Sequence, residues 1–136
     1  NVGTILRTMD AAGADALIII GGGVNPYHPK AIRASMGTHF NVPLITATKE
    51  EFLEWQKEAD YFIVGTSANA EENYRDVVYF YPLLLLMGTE RHGLSDDLQA
   101  VCNKFVCIPM RGKSTSLNLA VSTAILLYQI GNILKD

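Results

Sequence analysis

Short apolar runs alternate along the chain with longer segments in which apolar residues recur at helical spacing. Runs rich in Ile, Leu and Val and bounded by turn residues predict strands at Ala16–Ile20, Pro43–Thr46, Tyr61–Val64, Leu83–Met87 and Phe105–Ile108. Several are apolar throughout, as strands covered on both faces are. Helical spacing predicts helices at Gly3–Ala12, Pro29–Met36, Lys49–Lys57, Ser95–Ala100 and Ser116–Leu134. Thr48 with Glu51 three residues on reads as a capping box. Pro29 suits a first helical turn. Ser95 ahead of Asp96 and Asp97 suits a helix start, where negative charge meets the dipole. Ser116 is a natural N-cap for the last helix, with Asn118 in its first turn. Strand–helix alternation predicts an α/β domain, a mostly parallel sheet with helices on both faces. Three loops then follow strands: Thr66 onward, Gly88–Leu94 and Pro109–Thr115. Ligands of such sheets bind beyond the carboxyl ends of the strands, so all three loops are expected at one edge.

The chain has 136 residues, 49% of them hydrophobic and 18% charged, which fits one globular domain and not a disordered one. Leu83–Met87 is too short to cross a bilayer, and polar residues interrupt Leu117–Leu134, so no membrane partner is expected. No signal or lipidation pattern stands at the N-terminus. Cys102, Cys107 and three scattered histidines make no metal-ligand spacing, so no metal is expected. Cys107 reads as a buried small hydrophobe. Free thiols suit a reducing cytoplasm. The formal net charge is −3, which argues mildly against nucleic-acid binding by the domain as a whole. Acids gather at Glu50, Glu51, Glu54, Glu58 and Asp60, whereas Arg7, Arg91, Arg111 and Lys113 lie in or beside the motifs below. A local positive mouth and a set of scattered solvated charges both remain open.

Gly21-Gly22-Gly23 follows the first strand but lacks the spacing of a dinucleotide fingerprint and the ending of a P-loop; it reads as a flexible turn. A nucleotide-dependent oxidoreductase is therefore a remote reading. Gly88-Thr89-Glu90-Arg91-His92-Gly93-Leu94 is more informative. Glycine lets backbone approach a ligand closely, and Gly93 can take a positive φ. Ile108-Pro109-Met110 and Ser116-Leu117-Asn118 flank the cationic loop Arg111–Thr115. Asn1-Val2-Gly3-Thr4-Ile5-Leu6-Arg7 opens the chain. Each piece alone has an ordinary explanation as a turn, a cap or an exposed cation.

Together, in this order and at these separations, the pieces resemble the three motifs of SpoU/TrmH-type RNA ribose 2′-O-methyltransferases of the SPOUT superfamily. Ala31–Gly37 is similar to a further segment common in these enzymes. The resemblance covers essentially the whole chain. It implies an α/β fold whose C-terminal part forms a deep trefoil knot. It implies S-adenosyl-L-methionine as cofactor, held near Gly88, Ile108 and Leu117, with Met110 and Thr66 as further lining. It implies an RNA substrate, ribosomal or transfer, and a homodimer formed through the last helix. That helix is apolar around much of its circumference, which calls for cover on more than one side. Arg7 matches the catalytic arginine, and Asn1, Glu90 and Asn118 match the other polar positions. Glu90 is expected to orient Arg7 or bond the site loops, and Asn1 and Asn118 to position ribose or phosphate. The family's first strand and the small N-terminal RNA-binding domain of many members are absent from residues 1–136, which read as the catalytic domain of a longer protein. A non-catalytic dimeric RNA- or cofactor-binding module with the same fold is the alternative.

Overall fold

The computed structural model describes residues 1–21, 41–89 and 92–135, with side chains through residue 132. The helix expected at Pro29–Met36, most of the triple glycine, the segment Ala31–Gly37, Glu90 and Arg91 lie outside the described residues. The elements are α1 (Val2–Ala12), β1 (Leu17–Ile20), β2 (Leu44–Ala47), α2 (Lys49–Gln56), β3 (Phe62–Thr66), β4 (Leu83–Leu86), α3 (Asp96–Gln99), β5 (Lys104–Val106) and α4 (Leu119–Lys135). All pairing among the strands is parallel. β1 pairs with β2, and a second sheet has the order β4-β3-β5.

The side-chain period of two explains how β3 serves two layers. Val64 is fully buried beside Val106, Leu126 and Ile130, against α4. Its neighbour Ile63 faces the other way, into a cluster with Phe52 of α2, Leu86 and Leu94. A third cluster seals α1 to α4 through Ile5, Leu6, Met9 and Ala120. These α1 residues recur at helical spacing, so one stripe of the helix is buried while Thr4, Arg7 and Asp10 stay exposed. Gly13 ends α1 in the left-handed region, with φ 77°, and its N–H bonds back to Asp10 and Met9.

Three boundaries differ from the pattern-based reading for identifiable reasons. The strand expected to run to Ile108 stops at Val106, because Cys107 pairs in an isolated bridge with Asn73 and leaves β3. The last helix starts at Leu119, not Ser116, and Asn118 caps it: its Oδ1 accepts from the N–H groups of Ala120 (2.8 Å) and Val121 (3.3 Å). Cys107 is half-buried, so it is not the core hydrophobe expected. The Thr48–Glu51 capping box is formed in both directions, at 2.9 and 3.1 Å. Ser95 stands at the N-cap of α3, though its hydroxyl donates to Asp97 Oδ1 (2.8 Å) and not to the helix.

Lys49 at the start of α2 bonds Asp97 of α3 at 2.9 Å. The hydrogen bond from Lys49, then that from Ser95, holds the Asp97 carboxyl at about 2, below its ordinary 3.8. A depressed carboxylate contributes stability that is complete above about pH 4 and is lost as the pH falls through about 2. Titrating the Asp97 carboxyl by NMR should give that low midpoint, and Lys49→Met should return it toward 3.8. An unchanged midpoint in Lys49→Met would show that the pair is not formed in solution.

Candidate functional site

Because β4, β3 and β5 are parallel neighbours, their carboxyl ends lie at one edge. Thr66 is the last residue of β3 and is in register with Val106. Gly88 follows β4 by two residues, and Ile108 follows β5 by two. The three strand-following loops therefore leave the same edge, as the alternation of elements predicts. Thr66, Met110 and Leu117 are half-buried, and Arg111–Ser116 are exposed. Ile108 packs against the cluster that contains Val64, Val106 and Leu126, so its backbone is anchored where the long loop begins.

The loop after β4 is closed on itself. The N–H of Gly93 donates to the Thr89 carbonyl (2.9 Å), and the N–H of His92 donates to Thr89 Oγ1 (3.1 Å). Gly93 has φ 67°, the left-handed conformation its sequence position allows. A Cβ on Gly88 would lie 2.3 Å from the Gly93 carbonyl carbon and 2.5 Å from the Leu94 nitrogen. Only glycine lets the two ends of this loop touch. Leu94, 7% exposed, then plugs the loop into the cluster with Phe52 and Leu86.

Asn118 Nδ2 donates to Asn1 Oδ1 at 3.3 Å across 117 positions of sequence. Two residues assigned by motif are thus side by side, at the N-termini of α1 and α4. Asn118 uses its oxygen for the helix cap and its nitrogen for Asn1, so it has a structural task that the motif alone did not reveal. Asn118→Ala should cost about 1 kcal/mol through loss of the cap. Asn118→Asp should keep the cap and remove only the bond to Asn1. Equal destabilisation of the two variants in urea would refute this division of labour.

Arg7 is exposed on α1, six residues beyond Asn1, or about 9 Å along the axis at 1.5 Å per residue. No salt bridge among the described residues uses Arg7, Arg111 or Lys113. All three are exposed, and the acids Glu50, Glu51, Glu54 and Glu58 belong to α2 and the turn after it. An open hollow among those acids and Trp55 shares no residue with the strand-end loops. A larger cavity of about 820 Å³ lies between β1 and β4. It touches Gly88 and Gly93 at one end but is not lined by Thr66, Ile108, Met110 or Leu117. Among the described residues no three His, Cys, Asp or Glu side chains gather as a metal site, and no helix is long and apolar enough to cross a membrane.

Pattern reading missed the support beneath the long loop. Residues 72–79 brace its start: Cys107 N–H donates to the Glu72 carbonyl (2.9 Å) and Tyr74 N–H to the Cys107 carbonyl (3.0 Å). Tyr79 Oη donates to the Tyr74 carbonyl at 2.6 Å, and burial pushes its phenol up to about 12. Lys104 Nζ adds an ion pair with Glu72 at 2.8 Å. The only signal was the aromatic density of Tyr74, Tyr79, Phe80 and Tyr81, which has no period to read.

Residues 1–128 match the family model described as the SpoU rRNA methylase family. A 23S rRNA (uridine(2479)-2′-O)-methyltransferase of Streptomyces viridochromogenes is 34% identical over 135 residues, covering 95% of this chain and 47% of that protein. A 23S rRNA (guanosine(2553)-2′-O)-methyltransferase of Bacillus subtilis is 29% identical over 130 residues, covering 96% of this chain and 52% of that protein. The crystal structure of an AdoMet-bound rRNA methyltransferase from Sinorhizobium meliloti superimposes with a TM-score of 0.93 at 37% identity, covering 98% of this chain and 51% of that one. The chain spans about half the length of these relatives. A match of this extent, on a parallel α/β fold whose three motif loops leave one sheet edge, establishes that the chain belongs to the SpoU rRNA methylase family.

Proposed function

We propose that this domain transfers a methyl group from S-adenosyl-L-methionine to the 2′-hydroxyl of a ribose in ribosomal or transfer RNA. The observation that carries the reading is the superposition, over 98% of the chain, on a methyltransferase crystallised with that cofactor. The residues present fit such a ligand. Ile108, Met110 and Leu117 offer half-buried apolar surface, and the closed Gly88–Gly93 loop offers close backbone approach. An adenosine-sized group needs that combination of apolar walls and a few polar contacts. Gly88, Ile108, Leu117, Met110 and Thr66 are the residues assigned to hold it. When bound, it supplies a methyl group on a positively charged sulfur.

A ribose hydroxyl is a weak nucleophile and must give up its proton, to solvent, as its oxygen takes the methyl group. The task assigned to the Arg7 guanidinium is electrostatic. Its guanidinium stabilises the negative charge growing on the ribose oxygen and steers the adjacent phosphate. Glu90 is assigned to orient Arg7 or to bond the site loops, and the Asn1–Asn118 pair presents amide groups to the ribose or phosphate. Fixing methyl and oxygen in line supplies much of the remaining rate.

Arg7 acts within a homodimer formed through α4. Val121 and Tyr128, seven residues apart on that helix, are each 48% exposed, and such apolar residues on a helix already packed on its other side call for a partner. The C-terminal part is threaded as a deep trefoil knot, and the protein works in the cytoplasm. Incubation of the protein with methyl-labelled S-adenosylmethionine and bulk RNA, followed by nucleoside analysis, tests the activity. Label on ribose is expected; label on a base, or stoichiometric cofactor binding with no transfer, would replace this reading with base methylation or a non-catalytic binding module.

A further inference from the structure

β5 has three residues, and beyond them the chain changes partner. The Val106 carbonyl still faces β3 and accepts from the Ser67 N–H (3.1 Å). Cys107 faces the other way. Its N–H donates to the Glu72 carbonyl (2.9 Å), its carbonyl accepts from the Tyr74 N–H (3.0 Å), and it forms a parallel bridge with Asn73. The Cys107 carbonyl and the Ile108 N–H belong to one planar trans peptide, so fixing the first fixes the direction of the second. By strand alternation the Ile108 N–H turns back toward β3, which ends at Thr66. Among the described residues it meets no acceptor. Ile108 and Thr66 are both among the residues assigned to the cofactor.

The pose of this peptide thus depends on residues 72–74, which are held from two sides. On the outside, Lys104 pairs with the Glu72 carboxylate at 2.8 Å; both side chains are more than a third exposed, so the pair contributes little. On the inside, Tyr79 Oη donates to the Tyr74 carbonyl at 2.6 Å. Tyr79 is 4% exposed and belongs to the cluster of Val64, Val106, Leu126 and Ile130. A phenylalanine would fill that space as well, and a buried hydroxyl costs free energy unless it is bonded. The task of the hydroxyl is therefore the Tyr74 peptide. Burial pushes the phenol up to about 12, so it remains a donor at neutral pH. We infer that Tyr79 is a positioning residue for S-adenosyl-L-methionine: through the Tyr74 and Cys107 peptides, its hydroxyl sets the Ile108 backbone against which the cofactor is held. A peptide fixed in advance binds more tightly than one that must be ordered on binding. The inference rests on the methyl-transfer reading for the identity of the ligand.

Tyr79→Phe removes the hydroxyl alone. Without cofactor, amide hydrogen exchange at Tyr74 and Cys107 should quicken about tenfold, while Val64, in the same cluster, exchanges as in wild type. Calorimetry should show the Kd for S-adenosylmethionine raised about fivefold or more, the size expected for one hydrogen bond. With bulk RNA as acceptor, KM for S-adenosylmethionine should rise by the same factor and kcat should stay within about twofold, since uniform binding is what is lost. Thr48→Ala, which loses the remote capping box of α2, is the control for general destabilisation and should leave the Kd unchanged. If Tyr79→Phe does not fold, Asn73→Ala decides. Asn73 Oδ1 accepts from the Arg75 N–H (3.0 Å) and turns the same segment, so its loss should raise the Kd likewise. An unchanged Kd in the variant, beside a wild type that binds, overturns the role of Tyr79 and leaves methyl transfer standing. An equal rise in Thr48→Ala and Tyr79→Phe also overturns it, as general loosening. A wild-type chain that binds no S-adenosylmethionine overturns the methyl-transfer reading, and this inference with it.

Discussion

Arg7→Ala is expected to lower the rate of methyl transfer by about 10²–10³-fold, the usual loss when one preorganised donor to a developing negative charge is removed. Its stability should be almost unchanged, because Arg7 is exposed and joins no salt bridge among the described residues. Affinity for S-adenosylmethionine, measured by calorimetry, should also be unchanged, because the residues assigned to the cofactor are in the three strand-end loops and not on α1. Arg7→Lys should recover only part of the rate, since an ammonium cannot reproduce the planar fork. An Arg7→Ala enzyme within threefold of wild type would remove Arg7 from the mechanism while leaving the family assignment intact.

Gly88→Ala should be the most damaging single-atom addition in the site. The new Cβ meets backbone, at 2.3 and 2.5 Å, so no side chain can swing away to relieve it. The loop must open, and Leu94 must shift in its cluster with Phe52, Ile63 and Leu86. Overpacking of this kind costs about 1–3 kcal/mol. Cofactor affinity should fall at least about tenfold, which corresponds to about 1.4 kcal/mol. Gly112→Ala is the matched control: nothing lies within 4 Å of its Cβ, and its loss of stability should stay within about 0.5 kcal/mol. A Gly88→Ala protein that melts and binds cofactor like the Gly112→Ala protein would show that the closed loop is dispensable.

The order of elements was legible because short apolar runs and helical stripes are local signals. The same holds for the Thr48–Glu51 capping box, whose two bonds span three residues. The convergence of Thr66, Gly88 and Ile108 on one edge followed from parallel pairing alone. What was not legible depends on distant partners. Ser116 and Asn118 are equally good N-caps in isolation; the choice of Asn118 coincides with the side chain of Asn1, at the other end of the sequence. The brace of residues 72–79 carries no periodicity. The split between β1 and β4 was hidden too, because an apolar run announces a strand but not which strand lies beside it.

The seam between α1 and α4 also has a kinetic consequence. It joins Ile5, Leu6 and Met9 to Ala120, so nearly the entire length must be looped before these contacts form. Such a topology has a high contact order and folds slowly for its size. During synthesis α1 precedes α4, so the part of its apolar stripe that α4 covers stays exposed until α4 has been made. The nascent domain is therefore a natural client for chaperones that shield hydrophobic surface until α4 can dock.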